Sequence, residues 1–247
     1  MPRPPSDDPA RLRERVERAL DDALDPDTYR GLAVTLTVPD KTRPLPWAPT
    51  LGPLLERLGP VAQELRVLVG LGLHRPLTDS ERAPLVELCQ AHGVALARHD
   101  ARDPDRLVCV REDVGLAEGA SHPLPVVVHR AVARADRIIC VGIVEPHQYA
   151  GFSGGVKGVA IGCAGEATIG AMHGLTYLRD PDTQLGRLQG NPFRAALRRI
   201  GAALPPIDGL QIAPLEPPRV RFGPAWDTLE GLAFEASPSL FVEHDRT

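Results

Sequence analysis

The chain has 247 residues, of which 43% are hydrophobic, 24% charged and only 4% aromatic, and its formal net charge is −4. That is enough for one large domain around a mainly aliphatic core, and it offers no global positive field to hold a nucleic-acid backbone. The opening stretch MPRPPSDDPARLRERVERALDD has prolines and charges where a secretory signal needs an apolar run, and no run approaches the roughly 18 apolar residues of a membrane span, so the expectation is a soluble, cytoplasmic protein with no membrane or nucleic-acid partner.

Residues 8–24 fit an amphipathic helix with Asp7 or Asp8 near its cap and Pro9 in its first turn. GLAVTLTVP (31–39) is rich in β-branched residues and predicts a strand; 50–64 reads as a helix, LRVLVGLG (65–72) as a buried strand, 78–92 as a second helix and GVALARH (93–99) as a strand. A further strand is expected at 107–111, a helical stretch near 128–135, a strand RIICVGIV at 137–144 and a helix from about 165. Near-continuous aliphatic strands separated by helices predict an α/β fold, its mainly parallel sheet covered by helices on both faces. This main domain spans 1–204; residues 205–247 are Pro-rich and weakly periodic, and predict an irregular C-terminal extension with an edge strand and a short helix. Trp226, Phe234, Leu240 and Phe241 give that extension an apolar load suited to packing on its own body or on a neighbour.

Cys89, Cys109, Cys140 and Cys163 are far apart and form no C-x-x-C pair, so buried thiols are expected rather than disulfides or zinc. Of 28 basic residues only Lys41 and Lys157 are lysine. A primary amine, unlike a guanidinium, can bond covalently to a cofactor, which draws attention to both.

The unusual residues follow the strands. Strand 31–39 runs into DKTRP (40–44), strand 65–72 into LHRPLT (73–78) and strand 137–144 into EPHQYAGFSGGVKG (145–158). In an open parallel sheet the carboxyl ends share one edge, where ligands bind, so three polar clusters distant in sequence are expected at one site. Each has a plainer reading: Asp40 and Arg43 as a surface ion pair, His74 as a loop histidine, GFSGG as a flexible turn. Gly151, Gly154 and Gly155 let backbone N–H groups face an anion, but the loop fails the G-x-x-x-x-G-K-[ST] pattern because Gly158 follows Lys157, and there is no convincing dinucleotide fingerprint. Glu166 to His173 looks like a helix with His173 at its far end; with no second ligand at i+3 or i+4, any metal there takes its other ligands from elsewhere.

DKTRP, GLHRP, EPHQYAGFSGGVK and MHG, in that order, resemble the signatures of nickel-dependent lactate racemases and their 2-hydroxyacid racemase relatives, over roughly residues 30–195 and with ten residues from His147 to Lys157 and sixteen from Lys157 to His173. The resemblance implies a nickel-pincer nucleotide, a pyridinium-3,5-bisthiocarboxylic acid mononucleotide gripping Ni(II) in the square-planar geometry typical of that ion. It implies Lys157 as the covalent tether, His173 as the nickel ligand, and His74 and His147 as acid/base groups. One of these takes the hydroxyl proton of a small 2-hydroxyacid as hydride moves to the pyridinium ring, leaving a transient 2-oxoacid. Arg43 is expected to clamp the substrate carboxylate, Asp40 and Thr42 to position the nucleotide or that arginine, and the turn at Ser153, Gly154 and Gly155 to hold the phosphate. Further implications are cofactor-synthesis enzymes as partners and a second domain of well over a hundred residues that closes the family's site. That lid domain is not recognisable here, so cover by self-association or by a partner chain is expected. Two other readings stay open: a different hydride-transfer reaction with the same cofactor, and a non-catalytic cofactor-binding subunit that needs a partner chain.

Overall fold

A computed structural model describes residues 8–115 and 122–240. Six strands form one sheet in the order β10-β9-β6-β1-β2-β3, with β1 at Ala33–Pro39, β2 at Glu64–Gly70, β3 at Ala95–Ala97, β6 at Arg137–Ile143, β9 at Ile207–Ala213 and β10 at Arg219–Pro224. Every pairing is parallel except that of the edge strand β10 with β9. Two short antiparallel ribbons lie outside the sheet, β4 (Leu107–Arg111) with β5 (Val126–His129) and β7 (Pro146–His147) with β8 (Gly151–Phe152). Helices α1 (Pro9–Ala23), α2 (Trp47–Leu58), α3 (Asp79–Ala91), α4 (Arg130–Ala133), α5 (Val156–Ala160), α6 (Glu166–Met172), α7 (Leu175–Leu178), α8 (Pro192–Ala202) and α9 (Ala225–Leu240) complete the fold.

Strand period places the core on both faces. Val34, Leu36 and Val38 of β1 and Ile139, Val141 and Ile143 of β6 meet α1, α2 and α3. Leu68, Ile138 and Cys140 point the other way, into a cluster with Val159, Ile169, Phe193 and Leu197. Leu12, Val16 and Leu20 recur at helical spacing and are fully buried on α1, each contributing about 1.5–3 kcal/mol by removal from water. Local chemistry sets the helix starts: Asp8 accepts from Arg11 N–H, Thr78 and Glu81 form a reciprocal capping box, and Asn191 caps α8 ahead of Pro192.

The strand order reverses direction between β1 and β6, since the chain moves outward through β2 to β3 on one side and through β9 to β10 on the other. Such a switch point leaves a crevice at the carboxyl ends.

Five expectations need correction. Residues 107–111 do form a strand, but it pairs with Val126–His129 outside the main sheet, and the helix expected near 128–135 shrinks to Arg130–Ala133. The strand expected at 93–99 is reduced to Ala95–Ala97. The stretch after 204 is not an irregular extension: β9 pairs with β6 from Ile138↔Ile207 to Ile143↔Ile212 and α9 packs on β9 and β10. IDGLQIA is buried nearly throughout, which removes the alternation expected of a half-exposed strand. Leu229, Leu232, Ala233 and Ala236 form the helical stripe that the prolines disguised. Among the apolar residues noted there, Trp226 packs partly buried on the core and Phe234 stands 83% exposed, whereas Phe241 and the Leu240 side chain lie outside the described residues. Cys89, Cys140 and Cys163 are buried as expected, but Cys109 is exposed.

Candidate active site

A cavity of about 410 Å³ opens at the switch point, within the usual size range of small-molecule sites. Its wall takes Asp40, Thr42 and Arg43 from the turn after β1, His74 from the turn after β2, and His147 from the loop after β6. Ser153, Gly154, Lys157 of α5 and His173 at the end of α6 close the other side. Nine of the ten residues singled out in the sequence therefore meet at one cavity. The tenth, Gly155, lies just behind the lining.

Asp40 is the best-anchored polar group. It is only 6% exposed, its Oδ1 accepts from Thr42 N–H at 3.1 Å and Thr42 Oγ1 at 2.5 Å, and its Oδ2 lies 2.7 Å from His74 Nδ1. Thr42 and Asp40 thus position His74. A carboxylate can only accept, so His74 Nδ1 carries the proton and Nε2 keeps a lone pair whenever the ring is neutral. Arg43 gives one N–H to Glu145 Oε2 at 2.9 Å. Its remaining N–H groups are available for a planar anion.

His147 is held differently. Its Nδ1 accepts from Tyr149 N–H at 3.2 Å and Ala150 N–H at 3.1 Å, a turn built by the antiparallel pair β7 and β8. Burial, then the positive charges of Lys157, Arg43 and His173, push its pKa down to about 3. His173 Nδ1 lies 2.8 Å from the Ile169 carbonyl, so it donates there and leaves a lone pair on Nε2, the arrangement usual for a metal-ligating imidazole. Phe193 (ring centroids 5.7 Å) and Tyr149 (5.9 Å) pack edge-on against His173 and fix its plane.

Burial, with Arg43 adding to it, pushes Lys157 down to about 8, which raises the fraction of free, nucleophilic amine near neutrality. Beside it in the lining, the buried Thr37 hydroxyl has no oxygen or nitrogen partner among the described residues. Among those residues no group of three His, Cys, Asp or Glu could hold a metal ion. A metal here would have His173 as its protein ligand and take its other donors from a bound molecule. The free amine and the oriented histidine are features by which these residues would hold such a group.

The Ser153-Gly154-Gly155 turn is tied down by the protein itself. Ser153 Oγ donates to the Ile143 carbonyl at 2.8 Å and accepts from Glu145 N–H at 3.1 Å, while Gly155 N–H donates to Gln211 Oε1 at 2.8 Å. Gly154 has φ +87°, and a Cβ there would come within 2.5 Å of Gln211 Oε1, so only glycine fits. Ser153 and Gly155 therefore shape the turn, and Ser153 and Gly154 are its members that line the cavity. Two residues escaped the sequence reading. Gln211 is fully buried on β9 and also donates to the Cys140 carbonyl at 2.7 Å; a glutamine inside a misjudged segment gave no signal. Glu145 is the partner of Arg43, and its place directly before Pro146 and His147 was the available clue.

Residues 4–186 match the family model described as the lactate racemase N-terminal domain. The chain is 31% identical over 186 residues to a lactate racemase of Lactiplantibacillus plantarum and 27% identical over 185 residues to one of Thermoanaerobacterium thermosaccharolyticum; each match covers 72% of this chain and 42% of the relative. The chain thus spans only about half the length of these curated relatives. Its fold superposes on the lactate racemase apoprotein of Thermoanaerobacterium thermosaccharolyticum with a TM-score of 0.79 at 23% identity, covering 92% of this chain and 55% of that one. A protein of Thermotoga maritima aligns with a TM-score of 0.69 at 19% identity, over 94% of this chain and 59% of its own. The chain belongs to the lactate racemase N-terminal domain family.

Proposed function

We propose that this member of the family is the cofactor-binding part of a racemase or epimerase of a small 2-hydroxyacid, lactate being the reference substrate. The observation that carries the reading is one cavity joining an unpaired amine of lowered pKa at Lys157, an Nε2 lone pair at His173 and an aspartate-backed histidine at His74. Lys157 and His173 would hold a nickel-pincer nucleotide, the first as covalent tether and the second as nickel ligand. When bound, that group supplies the acceptor and donor of hydride.

The chain's own residues do the rest. Arg43 receives the substrate carboxylate on the N–H groups that Glu145 leaves free. His74 Nε2 accepts the hydroxyl proton, and Asp40 stabilises the resulting imidazolium through Nδ1–H. His147 is the second histidine at the substrate oxygen. Leu73 lines the cavity beside His74, and Leu175, Leu178 and Leu185 follow His173 in the chain; all four are exposed apolar residues. In this reading they meet a further protein surface that keeps water from the site.

Protein produced together with the cofactor-synthesis enzymes tests the proposal. Intact mass and metal analysis should show an adduct at Lys157 with nickel, and chiral chromatography should show one lactate enantiomer converting to the other. An unmodified, nickel-free protein under those conditions would overturn it. Light scattering together with activity as a function of protein concentration tests the cover: a monomer with concentration-independent activity has no need of a second chain.

A further inference from the structure

The loop that presents His147 is too small to hold itself. Its strands β7 and β8 have two residues each and pair with one another outside the main sheet, and an isolated two-stranded ribbon is marginal in water. Yet the turn between them keeps the N–H groups of Tyr149 and Ala150 on His147 Nδ1. The support comes from behind, from the first turn of α8 and the segment that leads into it.

Asn191 is 3% exposed. Its Nδ2 donates to the Tyr149 carbonyl at 2.8 Å and to the Arg187 carbonyl at 3.2 Å, while its Oδ1 accepts from Arg194 N–H at 3.2 Å. Two carbonyls at one end and an N–H at the other settle which end of the amide is nitrogen. Arg194, itself buried and held by Glu230 at 3.0 Å, adds a longer contact to the Ala150 carbonyl at 3.5 Å. Gly186 N–H donates to the Gly151 carbonyl at 2.9 Å, and a Cβ on Gly151 would fall 2.1 Å from the Arg187 carbonyl. Three successive carbonyls of the turn, those of Tyr149, Ala150 and Gly151, are therefore gripped by residues 186–194.

Resting on the racemase reading above, we propose that Asn191 is a positioning residue for that reaction: it clamps the Tyr149 peptide and so holds the His147 ring in its place in the cavity. Neither Asn191 nor Tyr149 lines the cavity, so the effect passes through His147. A helix cap alone needs only the acceptor Oδ1, and serine or aspartate would cap α8 as well. What asparagine adds is the donor pair at the other end, which aspartate lacks and which the shorter serine cannot bring to the Tyr149 carbonyl while it caps. The same turn of α8 carries Phe193, whose ring meets those of Tyr149 (6.1 Å) and His173 (5.7 Å). One anchor thus orients His147 and, through the ring stack, His173.

Hydrogen exchange followed in ¹H–¹⁵N spectra tests the clamp and needs no cofactor. In the wild type the Asn191 Nδ2 protons should exchange far more slowly than those of a free carboxamide; exchange at the free rate overturns the proposal. Asn191→Ser, which keeps the cap, should quicken exchange at Tyr149 and Ala150 by roughly threefold to tenfold, the equivalent of about one hydrogen bond, and leave the amides of β1 as they were. An equal rise in β1 and in the turn would make Asn191 merely structural, and an unchanged turn would refute the clamp outright. In the cofactor-loaded protein the same variant should lower kcat by roughly 10- to 100-fold, the scale of a misplacement of about 1 Å, with KM nearly unchanged because Arg43 still meets the substrate carboxylate. A raised KM with kcat intact counts against positioning of His147. Should the loaded wild-type protein racemise nothing while the turn responds as stated, the functional reading fails and the clamp stands.

Discussion

Replacing His99 by Met should make the protein less sensitive to acid. His99 is 4% exposed, sits with its ring centroid 5.9 Å from that of His129, and among the described residues neither ring nitrogen has a partner of full hydrogen-bond geometry, the Ala164 backbone giving the ring only a minor contact. Burial, followed by the neighbouring His129, pushes its pKa from 6.5 to about 4. The folded state thus keeps the ring neutral while the unfolded chain begins to take up a proton as pH falls through its ordinary value. Stability is lost on the acid side, at about 1.4 kcal/mol per pH unit between those two pKa values, or about 3 kcal/mol in all from this group; above them it adds no pH dependence. Methionine has a similar volume and no polar nitrogen to desolvate, so the variant should be as stable as the wild type or more so at neutral pH. Urea unfolding at a series of pH values from about 4.5 to 8 measures this through the midpoint and slope. His129 and His147 are also pushed below their ordinary values, the latter to about 3, so the difference between the two proteins isolates His99. Curves of ΔG against pH that run parallel in wild type and variant would refute the reasoning.

Asp40→Asn can turn an amide N–H₂ toward His74 Nδ1 and so reverse the tautomer of that ring; turnover should fall by roughly 10²–10⁴-fold, with ¹⁵N spectra showing the proton moved to Nε2. Lys157→Arg should fold normally yet lose covalent cofactor retention, since a guanidinium cannot replace the amine; intact-mass measurement decides, and a persisting adduct counts against the tether. His173→Ala should lower nickel content in protein loaded with cofactor, whereas His74→Ala and His147→Ala should keep it, and equal nickel loss in all three would contradict this division of roles. Gln211→Ala removes the acceptor of Gly155 N–H and a donor to the Cys140 carbonyl in a fully buried place, at about 1–3 kcal/mol for a group left unsatisfied. Urea unfolding with an unchanged midpoint would show that the glutamine does not hold the turn.

The positions of the site residues were legible because each follows a strand whose end is marked by composition. Asp40, His74 and His147 come directly after aliphatic runs, and a parallel sheet brings carboxyl ends together whatever the order of its strands. What those side chains do to one another was not legible. Asp40 and Thr42 were expected on the nucleotide or on Arg43, and the sequence did not show that they also anchor His74, because the turn after β2 brings Nδ1 to the carboxylate across a gap of thirty-four residues. Nor did the sequence show that Ser153 and Gly155, expected on a phosphate, are tied to Ile143, Glu145 and Gln211.

By itself the sequence determined most of the element types through 172, β5, β7 and β8 apart, together with the α/β class, the strand ends at which the singled-out residues gather and the family, since these follow from local periodicity and from the spacing of motifs along the chain. The tertiary structure alone decided that β9, β10 and α9 complete the sheet and that β4 and β5 stand outside it, because a strand buried on both faces has lost the alternation that would announce it. It alone decided the state of the histidines as well. His74, His147 and His173 are the same residue type in the sequence, and they differ only in whether a carboxylate, two amides or a carbonyl is folded against Nδ1.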